Sequence, residues 1–353
     1  MAMVGFLSGV LVMHGANIFY YCYDHDAPTG GQKHSYEHVN ILNKNGFNAY
    51  ALHTAPSFRL RWFENHTRTI CMRDFRQVYN QETDYIVLPE DLGTRIGEFP
   101  GKKVIFNKNL YHGFQALGDI TPSLYSYHDP SVVAIFTISD HNRRHLVYAF
   151  PSKILIRVHL GIDGQVFSYR PLTSKIRQIV SVVKAQPAVR TLYHMLSARS
   201  LAGLNKFREF TWITLDGKTE AEVAELLSQS LMCVFLSVEE GLGRIPLEAL
   251  SCGCITMGYG CGPLLEVLPS ATQFPHGELC DLARYMERVM DAFPDRINTL
   301  ETLAEYGRNL AMSYSLERQE RSVVDAWNTV LRLQIHKTAG GTAWHLSSPT
   351  DTR

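Results

Sequence analysis

Short apolar runs rich in β-branched and aromatic residues recur along the chain, and polar or amphipathic stretches separate them. The first run is Asn17 to Tyr23, and the second is Asn48 to His53. Between them, Gln32 to Asn45 carries its apolar residues at helical spacing and stops before Gly46. A strand, a helix and a second strand in this order are typical of parallel α/β domains.

The same pattern continues through the rest of the chain. Thr219 and Glu222 form a predicted capping box, which starts a helix that ends near Leu231. Further strands are predicted at Tyr85 to Leu88, Lys103 to Asn107, Val132 to Ser139, Ile154 to His159, Gln178 to Val183 and Phe210 to Leu215. Helices are predicted at Leu279 to Phe293, Ile297 to Met312 and Leu316 to Gln334.

The most informative segment runs from Val234 to Gly258. Val234 to Val238 predicts a buried strand, and Glu239 to Arg244 supplies the turn after it. Pro246 fits the first turn of a helix, where its missing N–H costs nothing, and Gly253 fits just beyond the end of that helix. The segment therefore predicts strand, loop, helix and strand.

The loop of this segment suits a ligand that carries both phosphate and hydroxyl groups. Gly241 and Gly243, on either side of Leu242, let the backbone approach a ligand, and the following helix directs free N–H groups at an anion. Glu240 and Glu248 bracket the loop with seven residues between them. Carboxylates repel phosphate but accept hydrogen bonds from sugar hydroxyls.

The same loop has two other interpretations. A dinucleotide-binding fingerprint would need its third glycine where Pro246 stands, so that interpretation is rejected. Glu240 and Glu248 could also be ordinary solvated acids near the start of a helix, where acids are favoured.

Composition limits the class of protein. At 353 residues, the chain suits two domains of about 150 to 170 residues each. Hydrophobic residues make up 45% and charged residues 19%, as in proteins with substantial cores. Basic and acidic residues both number 34, so no overall field would attract nucleic acid.

Seven cysteines with no evident pairing framework predict reduced thiols and a cytoplasmic location. The spacing of Cys252, Cys254 and Cys261 does not match a zinc site. The apolar stretch from Met3 to Met13 is too short to span a membrane and lacks the basic start of a signal peptide.

The segment after the first predicted strand offers a second ligand site. Gly30 and Gly31 follow that strand at the carboxyl edge of the sheet, where open α/β folds bind ligands. Asp24 and Asp26 form an Asp-x-Asp motif, a pattern that can hold a divalent metal together with a diphosphate. Loop capping or contact with an acceptor are the alternatives for this pair.

The stretch from Arg59 to Arg76 interleaves arginines with aromatic residues. Such a stretch could bind an anionic acceptor or make peripheral contact with a membrane. The alternative is a solvated loop with a few aromatic side chains packed beneath it.

The order Glu-Gly-x-Gly-x-x-Pro-x-Glu-Ala from Glu240 to Ala249, followed by Gly253, resembles the retaining family 4 glycosyltransferases of the GT-B fold. The signature of that family is a pair of glutamates separated by seven residues. The resemblance implies an α/β protein of two Rossmann-like, doubly wound domains that face a central cleft. It also implies transfer of a hexose from a nucleotide-diphosphate sugar with retention of configuration and without a metal.

The resemblance also suggests where the domains divide. Leu160 to Phe167 is similar to the segment that leaves the first domain in this family. We therefore predict an acceptor-binding domain at 1–162, a nucleotide-sugar-binding domain at 163–320, a crossover helix at 321–336 that returns to the first domain, and a flexible tail at 337–353.

The family resemblance assigns roles to individual residues. Glu248 would bind ribose, and Glu240 would bind the hydroxyls of the transferred sugar. His112 lies in a loop that brings a histidine against that sugar. The donor phosphates would meet Gly30 and Gly31, the loop of Gly241, Leu242 and Gly243, and a basic pair, Lys184 and Arg190. The chain lacks the glycine that precedes this basic pair in the family.

The acceptor could be a glycan, a lipid-linked molecule or another hydroxyl compound. Two other functions fit the same sequence features: a nucleotide-sugar epimerase of the GT-B fold, and a non-catalytic protein that binds nucleotide sugars or glycans.

Overall fold

Twelve short strands form two parallel sheets in the computed structural model, which describes residues 15–116, 126–183 and 186–338. Seven strands make the first sheet: β1 (Asn17–Tyr21), β2 (Asn48–His53), β3 (Thr69–Cys71), β4 (Tyr85–Pro89), β5 (Lys102–Asn107), β6 (Val132–Thr137) and β7 (Leu155–Arg157). Their order is β3-β2-β1-β4-β5-β6-β7. The order reverses between β1 and β4, which makes the carboxyl ends of these two strands a ligand-binding position.

The helices of the first domain connect these strands. They are α1 (Gly30–Lys44), α2 (Met72–Val78), α3 (Leu110–Gln115) and α4 (Asp140–Ala149), with a 3₁₀ segment at Glu90–Glu98. The buried face of α1 includes Tyr36, Val39 and Leu42, the residues whose spacing predicts this helix.

The second sheet has five strands in the order β12-β11-β10-β8-β9. They are β8 (Ile176–Val182), β9 (Thr211–Leu215), β10 (Ser230–Phe235), β11 (Ile255–Tyr259) and β12 (Gln273–Phe274). Its helices are α5 (Gln186–Leu201), α6 (Glu220–Gln229), α7 (Arg244–Ser251), α8 (Leu279–Ala292) and α9 (Glu301–Met312). The capping box is confirmed, because the Thr219 and Glu222 side chains each bond the other residue's backbone N–H.

The last helix, α10 (Leu316–Thr338), begins at Leu316 as predicted and returns to the first domain. Trp327 on this helix is fully buried, and its Nε1 donates to the Tyr20 hydroxyl at 2.9 Å. Its ring also contacts Tyr85 and Phe136 of the first sheet. The predicted fold class, two parallel α/β domains with a returning C-terminal helix, is confirmed.

One predicted strand is displaced. The strand before the central loop is Ser230–Phe235 rather than Val234 to Val238. All six residues of the observed strand are buried, and Ser230 follows α6 directly. Leu236 and Ser237 are also buried, but they lie in the loop. Because the apolar run continues past the end of the strand, the sequence pattern does not mark where the strand ends.

Candidate functional site

A cleft of about 840 Å³ lies between the two domains. The first domain contributes the carboxyl ends of β1, β4 and β5 and the start of α1. The second domain contributes the segments after β8, β9 and β10 and the start of α7. The sites predicted after the first strand and in the central loop therefore face each other across one cleft.

The central loop turns tightly into α7. Gly243 has a φ of 90°, a left-handed conformation that favours glycine, and α7 begins at the next residue, Arg244. Pro246 lies in the first turn of α7, and Gly253, with a φ of 82°, follows its C-cap, as predicted. Helix α7 thus directs its N-terminus into the cleft.

At Gly241, a close contact with the first domain requires a glycine. A Cβ at this position would overlap the carbonyl oxygen of Lys108, which follows β5 in the first domain. Close by, the Asn109 side chain donates from Nδ2 to the Glu239 carbonyl at 3.0 Å. The missing side chain at Gly241 therefore lets the central loop touch the first domain.

The two signature glutamates both line the cleft and are both buried. Glu240 is 8% exposed and Glu248 is 4% exposed. Oε1 of Glu248 accepts a hydrogen bond from Nε of Arg244 at 2.8 Å. Glu248 is therefore fixed in an ion pair and is not an ordinary solvated acid.

Arg244 also binds a carboxylate of the first domain. Its Nη2 donates to Oε1 of Glu37 at 2.8 Å, and Oε2 of Glu37 accepts from Gln319 of α10 at 2.9 Å. Burial would raise the pKa of Glu37, but the Arg244 guanidinium and the His34 ring hold it well below its ordinary value. Burial opposes the charge on Arg244 too, but Glu37 and Glu248 outweigh it and raise the pKa of Arg244.

Gly30 and Gly31 are the first residues of α1 and lie opposite this network. A Cβ at Gly30 would stand 3.9 Å from Cδ of Arg244, and one at Gly31 would stand 3.3 Å from Cε of Lys108. The glycine pair therefore lies where the two domains approach each other.

His112 lies on α3 and lines the cleft. Its side chain is exposed. The Asn109 side chain caps this helix by accepting from the backbone N–H groups of Tyr111 and His112. The position of His112 is set by this cap.

Of the predicted basic pair, the structure describes Arg190 only. Lys184 lies outside the described residues. Arg190 is described, but it is exposed on α5 and is absent from the cleft lining. Among the described residues, the lysines and arginines that line the cleft are Lys33, Lys108, Lys218 and Arg244.

Lys33 is a site residue that the sequence did not reveal. It forms an ion pair with Glu220 at the start of α6 and lies 3.9 Å from Glu37. Burial lowers the pKa of Lys33 to about 8. Lys33 lies one turn before Glu37 on α1. The sequence could point to Lys33 only if the contact between Arg244 and Glu37 were already known.

The two aspartates of the Asp-x-Asp motif accept hydrogen bonds from nearby loops. Asp24 accepts from the backbone N–H of Ala55 at 2.6 Å and contacts Nδ1 of His53 at 3.0 Å. Asp26 accepts from the backbone N–H of Arg61 at 2.8 Å. This arrangement matches the loop-capping alternative.

The basic aromatic stretch is more ordered than a solvated loop, because it contains β3 and α2. Arg68 donates to the Tyr50 hydroxyl at 2.7 Å, and Arg59 donates to the Asn65 side chain at 3.1 Å. Trp62 lines the cleft. In 15–116, 126–183 and 186–338, no helix has both the length and the apolar composition needed to cross a membrane.

No protein-family model matches this chain. An alpha-1,6-glucosyltransferase of Actinobacillus pleuropneumoniae serotype 7 is 22% identical over 248 residues, which is 68% of this chain and 72% of that protein. The serotype-specific mannosyltransferase WbdA of Escherichia coli is 27% identical over 153 residues. This match covers 40% of the chain but spans only 18% of WbdA.

Solved structures resemble nearly the whole chain. A glycosyltransferase from Rickettsia africae has a TM-score of 0.65 at 12% identity, covering 90% of this chain and 99% of that one. The pneumococcal O-GlcNAc transferase GtfA, in complex with UDP and GlcNAc, has a TM-score of 0.62 at 10% identity, covering 92% and 100%. These neighbours show the GT-B fold, and the relatives indicate a glycosyltransferase.

Proposed function

We propose that this protein transfers a sugar from a nucleotide-diphosphate sugar to a hydroxyl group of an acceptor. The observation that carries this proposal is the cleft itself, in which Glu240, the N-terminus of α7 and Glu248 face the Gly30–Gly31 start of α1. A glucosyltransferase and a mannosyltransferase among the relatives support it, as does the bound UDP of GtfA.

Glu248 is proposed to bind the ribose of the donor. Arg244 engages its Oε1, so we assign the ribose hydroxyls to Oε2. A carboxylate that is held in place before the ligand arrives loses less freedom on binding.

The backbone N–H groups from Gly241 through Leu242 to Gly243, and the start of α7, are proposed to bind the diphosphate. Free N–H groups at a helix N-terminus favour an anion. They would also stabilise the charge that the diphosphate gains as it leaves. This part of the site needs no metal, so we propose metal-independent transfer.

Glu240 and His112 are proposed to contact the transferred sugar. Glu240 would hold sugar hydroxyls and favour the positive charge that grows on the ring during transfer. Retention of configuration, membership of family 4 and transfer of a hexose rest on the resemblance of the Glu-x7-Glu signature.

The acceptor is proposed to be a glycan or a lipid-linked molecule that enters from the first domain. Arg61 and Arg73 are exposed on the basic aromatic stretch and could contact an anionic surface. A cytoplasmic location with peripheral membrane contact stays a prediction. A flotation assay with anionic vesicles tests it: binding that an Arg61→Gln/Arg73→Gln variant does not weaken would contradict it.

A thermal-shift panel of nucleoside diphosphates and their sugars, run in chelator, tests the proposed function. A donor at 100 times its dissociation constant adds about 2.7 kcal/mol to stability, so its stabilising effect is measurable. The best donor is then incubated with acceptor extracts, and release of nucleoside diphosphate is followed.

The outcomes separate the alternatives. Release that requires an acceptor supports transfer. Isomerisation of the donor sugar without net release would favour the epimerase, and binding without any reaction would favour a passive binder. Binding that appears only after magnesium or manganese is added would contradict the metal-free diphosphate site and redirect attention to Asp24 and Asp26.

A further inference from the structure

Lys108 lies where the two domains touch, directly after β5. Its carbonyl oxygen fills the space that a Cβ at Gly241 would need, and its Cε lies 3.3 Å from the Cβ position of Gly31. The side chain is 13% exposed and lines the cleft. Lys108 therefore lies beside both glycine segments that the family resemblance assigns to the donor phosphates.

Two other basic side chains of the described cleft already have close carboxylate partners, whereas Lys218 lies 3.8 Å from Glu222 and its side chain is 40% exposed. Arg244 lies 2.8 Å from both Glu37 and Glu248. Lys33 forms an ion pair with Glu220. These cations are neutralised where they stand, so they add little net positive charge for a diphosphate.

Lys108 has a more distant carboxylate partner, Glu90, than Arg244 has. Nζ of Lys108 lies 3.5 Å from Oε2 of Glu90, and that oxygen makes no hydrogen bond within the described structure. Oε1 of Glu90 accepts from the backbone N–H of Asn109 at 2.7 Å, which fixes the carboxyl group. Burial raises the pKa of Glu90, which weakens its hold on a cation.

We propose that Lys108 binds the donor phosphate farther from the nucleoside. This inference rests on the proposed function. Because Glu248 would hold the ribose in the second domain, the distal phosphate is the one that reaches the first domain. Glu90 acts as a positioning residue, which holds Lys108 until the donor arrives.

The chemical step assigns Lys108 a defined part. The bond between the anomeric carbon and the phosphate oxygen breaks, and its electron pair stays on that oxygen. The acceptor oxygen forms the new bond to the carbon, and its proton passes to the leaving phosphate. Lys108 stabilises the charge that appears on the diphosphate.

Calorimetric titration in chelator tests this assignment on the full chain. UDP, GDP and ADP are titrated first, and the tightest binder is then compared with its own monophosphate. Lys108→Met keeps the aliphatic stem but removes the charge, so it should weaken diphosphate binding about 10- to 100-fold and change monophosphate binding little. Lys108→Arg should restore most of the affinity.

Lys206→Met serves as the matched control, because Lys206 is exposed and does not line the cleft. Diphosphate affinity that is unchanged in Lys108→Met, or an equal loss for monophosphate and diphosphate, would overturn the assignment. Wild-type protein that binds none of the three diphosphates would overturn the proposed function as well. If Lys108→Met fails to fold, Lys108→Gln is measured in the same way.

Discussion

The Arg244 guanidinium is shared between carboxylates of the two domains. Glu37 belongs to α1 of the first domain, and Glu248 belongs to α7 of the second. Removing one partner of such a buried group leaves an uncompensated charge, which is strongly destabilising. One residue therefore couples the orientation of the proposed ribose ligand to the contact between the domains.

Glu240→Gln separates an enzyme from a passive binder. The substitution keeps the shape of the side chain and removes the charge that would favour the developing positive charge on the sugar. We expect turnover to fall about ten- to a thousandfold, or roughly 1.4 to 4 kcal/mol, with nucleotide affinity largely intact. Release of nucleoside diphosphate from the best donor measures this effect.

Glu305→Gln is a suitable control for that assay, because Glu305 is exposed and outside the cleft. Equal turnover of wild type and Glu240→Gln would remove Glu240 from the catalytic site.

His38 makes the fold sensitive to acid. It is 1% exposed, its Nδ1 lies 3.2 Å from the Tyr20 hydroxyl, and its ring stacks on Phe106 with centroids 4.6 Å apart. Burial, and then the nearby His34 ring, lowers the pKa of His38 from 6.5 to about 3. Below pH 6.5, His38 therefore binds a proton in the unfolded chain but not in the folded chain.

Because the folded pKa lies below the unfolded pKa, the contribution of His38 is fully present above pH 6.5 and is lost as the pH falls toward 3. Between pH 7 and pH 5, we expect the His38→Gln variant to lose about 2 kcal/mol less unfolding free energy than wild type. Denaturant titrations at the two pH values measure this. Parallel losses in the two proteins would show that His38 is not the sensor.

At the scale of elements, the loop before α7 packs directly against the first domain. Gly241→Ala would force a methyl group against the Lys108 carbonyl and push the loop out of contact. We expect a stability loss of about 1–3 kcal/mol and a fall in both nucleotide binding and transfer, because this loop is proposed to bind the diphosphate.

Gly164→Ala is the matched control for this change, because nothing lies within 4 Å of its Cβ position. It should change unfolding free energy and turnover little. A Gly241→Ala protein with wild-type transfer would show that the contact with Lys108 is dispensable.

The elements that the sequence predicted best are those with strong local signals. The strand Asn48–His53 has the predicted bounds, and the capping box of Thr219 and Glu222 starts α6 as expected. The sequence pattern does not predict α4. Its buried residues are Asn142 and Leu146, which form no apolar stripe along the helix. Its Ser139 N-cap, which accepts from the Asn142 N–H at 3.1 Å, was the available signal.

The site was predictable where its residues share one segment. The loop and the glutamates at 240 and 248 face the cleft together because a strand, a turn and a helix fix their spacing. The pairing of Arg244 with Glu37 could not be predicted, because these residues lie 207 positions apart and meet through domain packing. On α1, Glu37 has the ordinary appearance of a solvated helix acid.

At the scale of the whole molecule, contacts join the domains beyond the Arg244 network. Arg157 of the first domain lies 3.0 Å from Oε2 of Glu266 in the second, and the His141 backbone N–H donates to Oε1 of Glu266 at 2.9 Å. Elsewhere, the Trp62 carbonyl accepts from the Glu220 backbone N–H at 3.1 Å. Opening the cleft between these elements requires breaking such contacts.

Trp327→Phe tests how far α10 stabilises the first domain. The change removes the hydrogen bond to Tyr20 and part of a fully buried ring, so we expect a loss of about 1–3 kcal/mol in unfolding free energy. Trp212→Phe is the comparison, because Trp212 also donates a hydrogen bond, to Ser181 at 2.9 Å, but is only partly buried. Equal losses in denaturant titrations would contradict a special role for α10.

The returning helix also bears on how the first domain is completed during translation. The Tyr20 hydroxyl receives its indole partner from a residue 307 positions later, after the whole second domain has been translated. Domains generally fold as units, with N-terminal ones first during synthesis. Here the N-terminal domain emerges first, but the Trp327 ring that packs on Tyr20, Tyr85 and Phe136 is supplied only after the second domain has been translated.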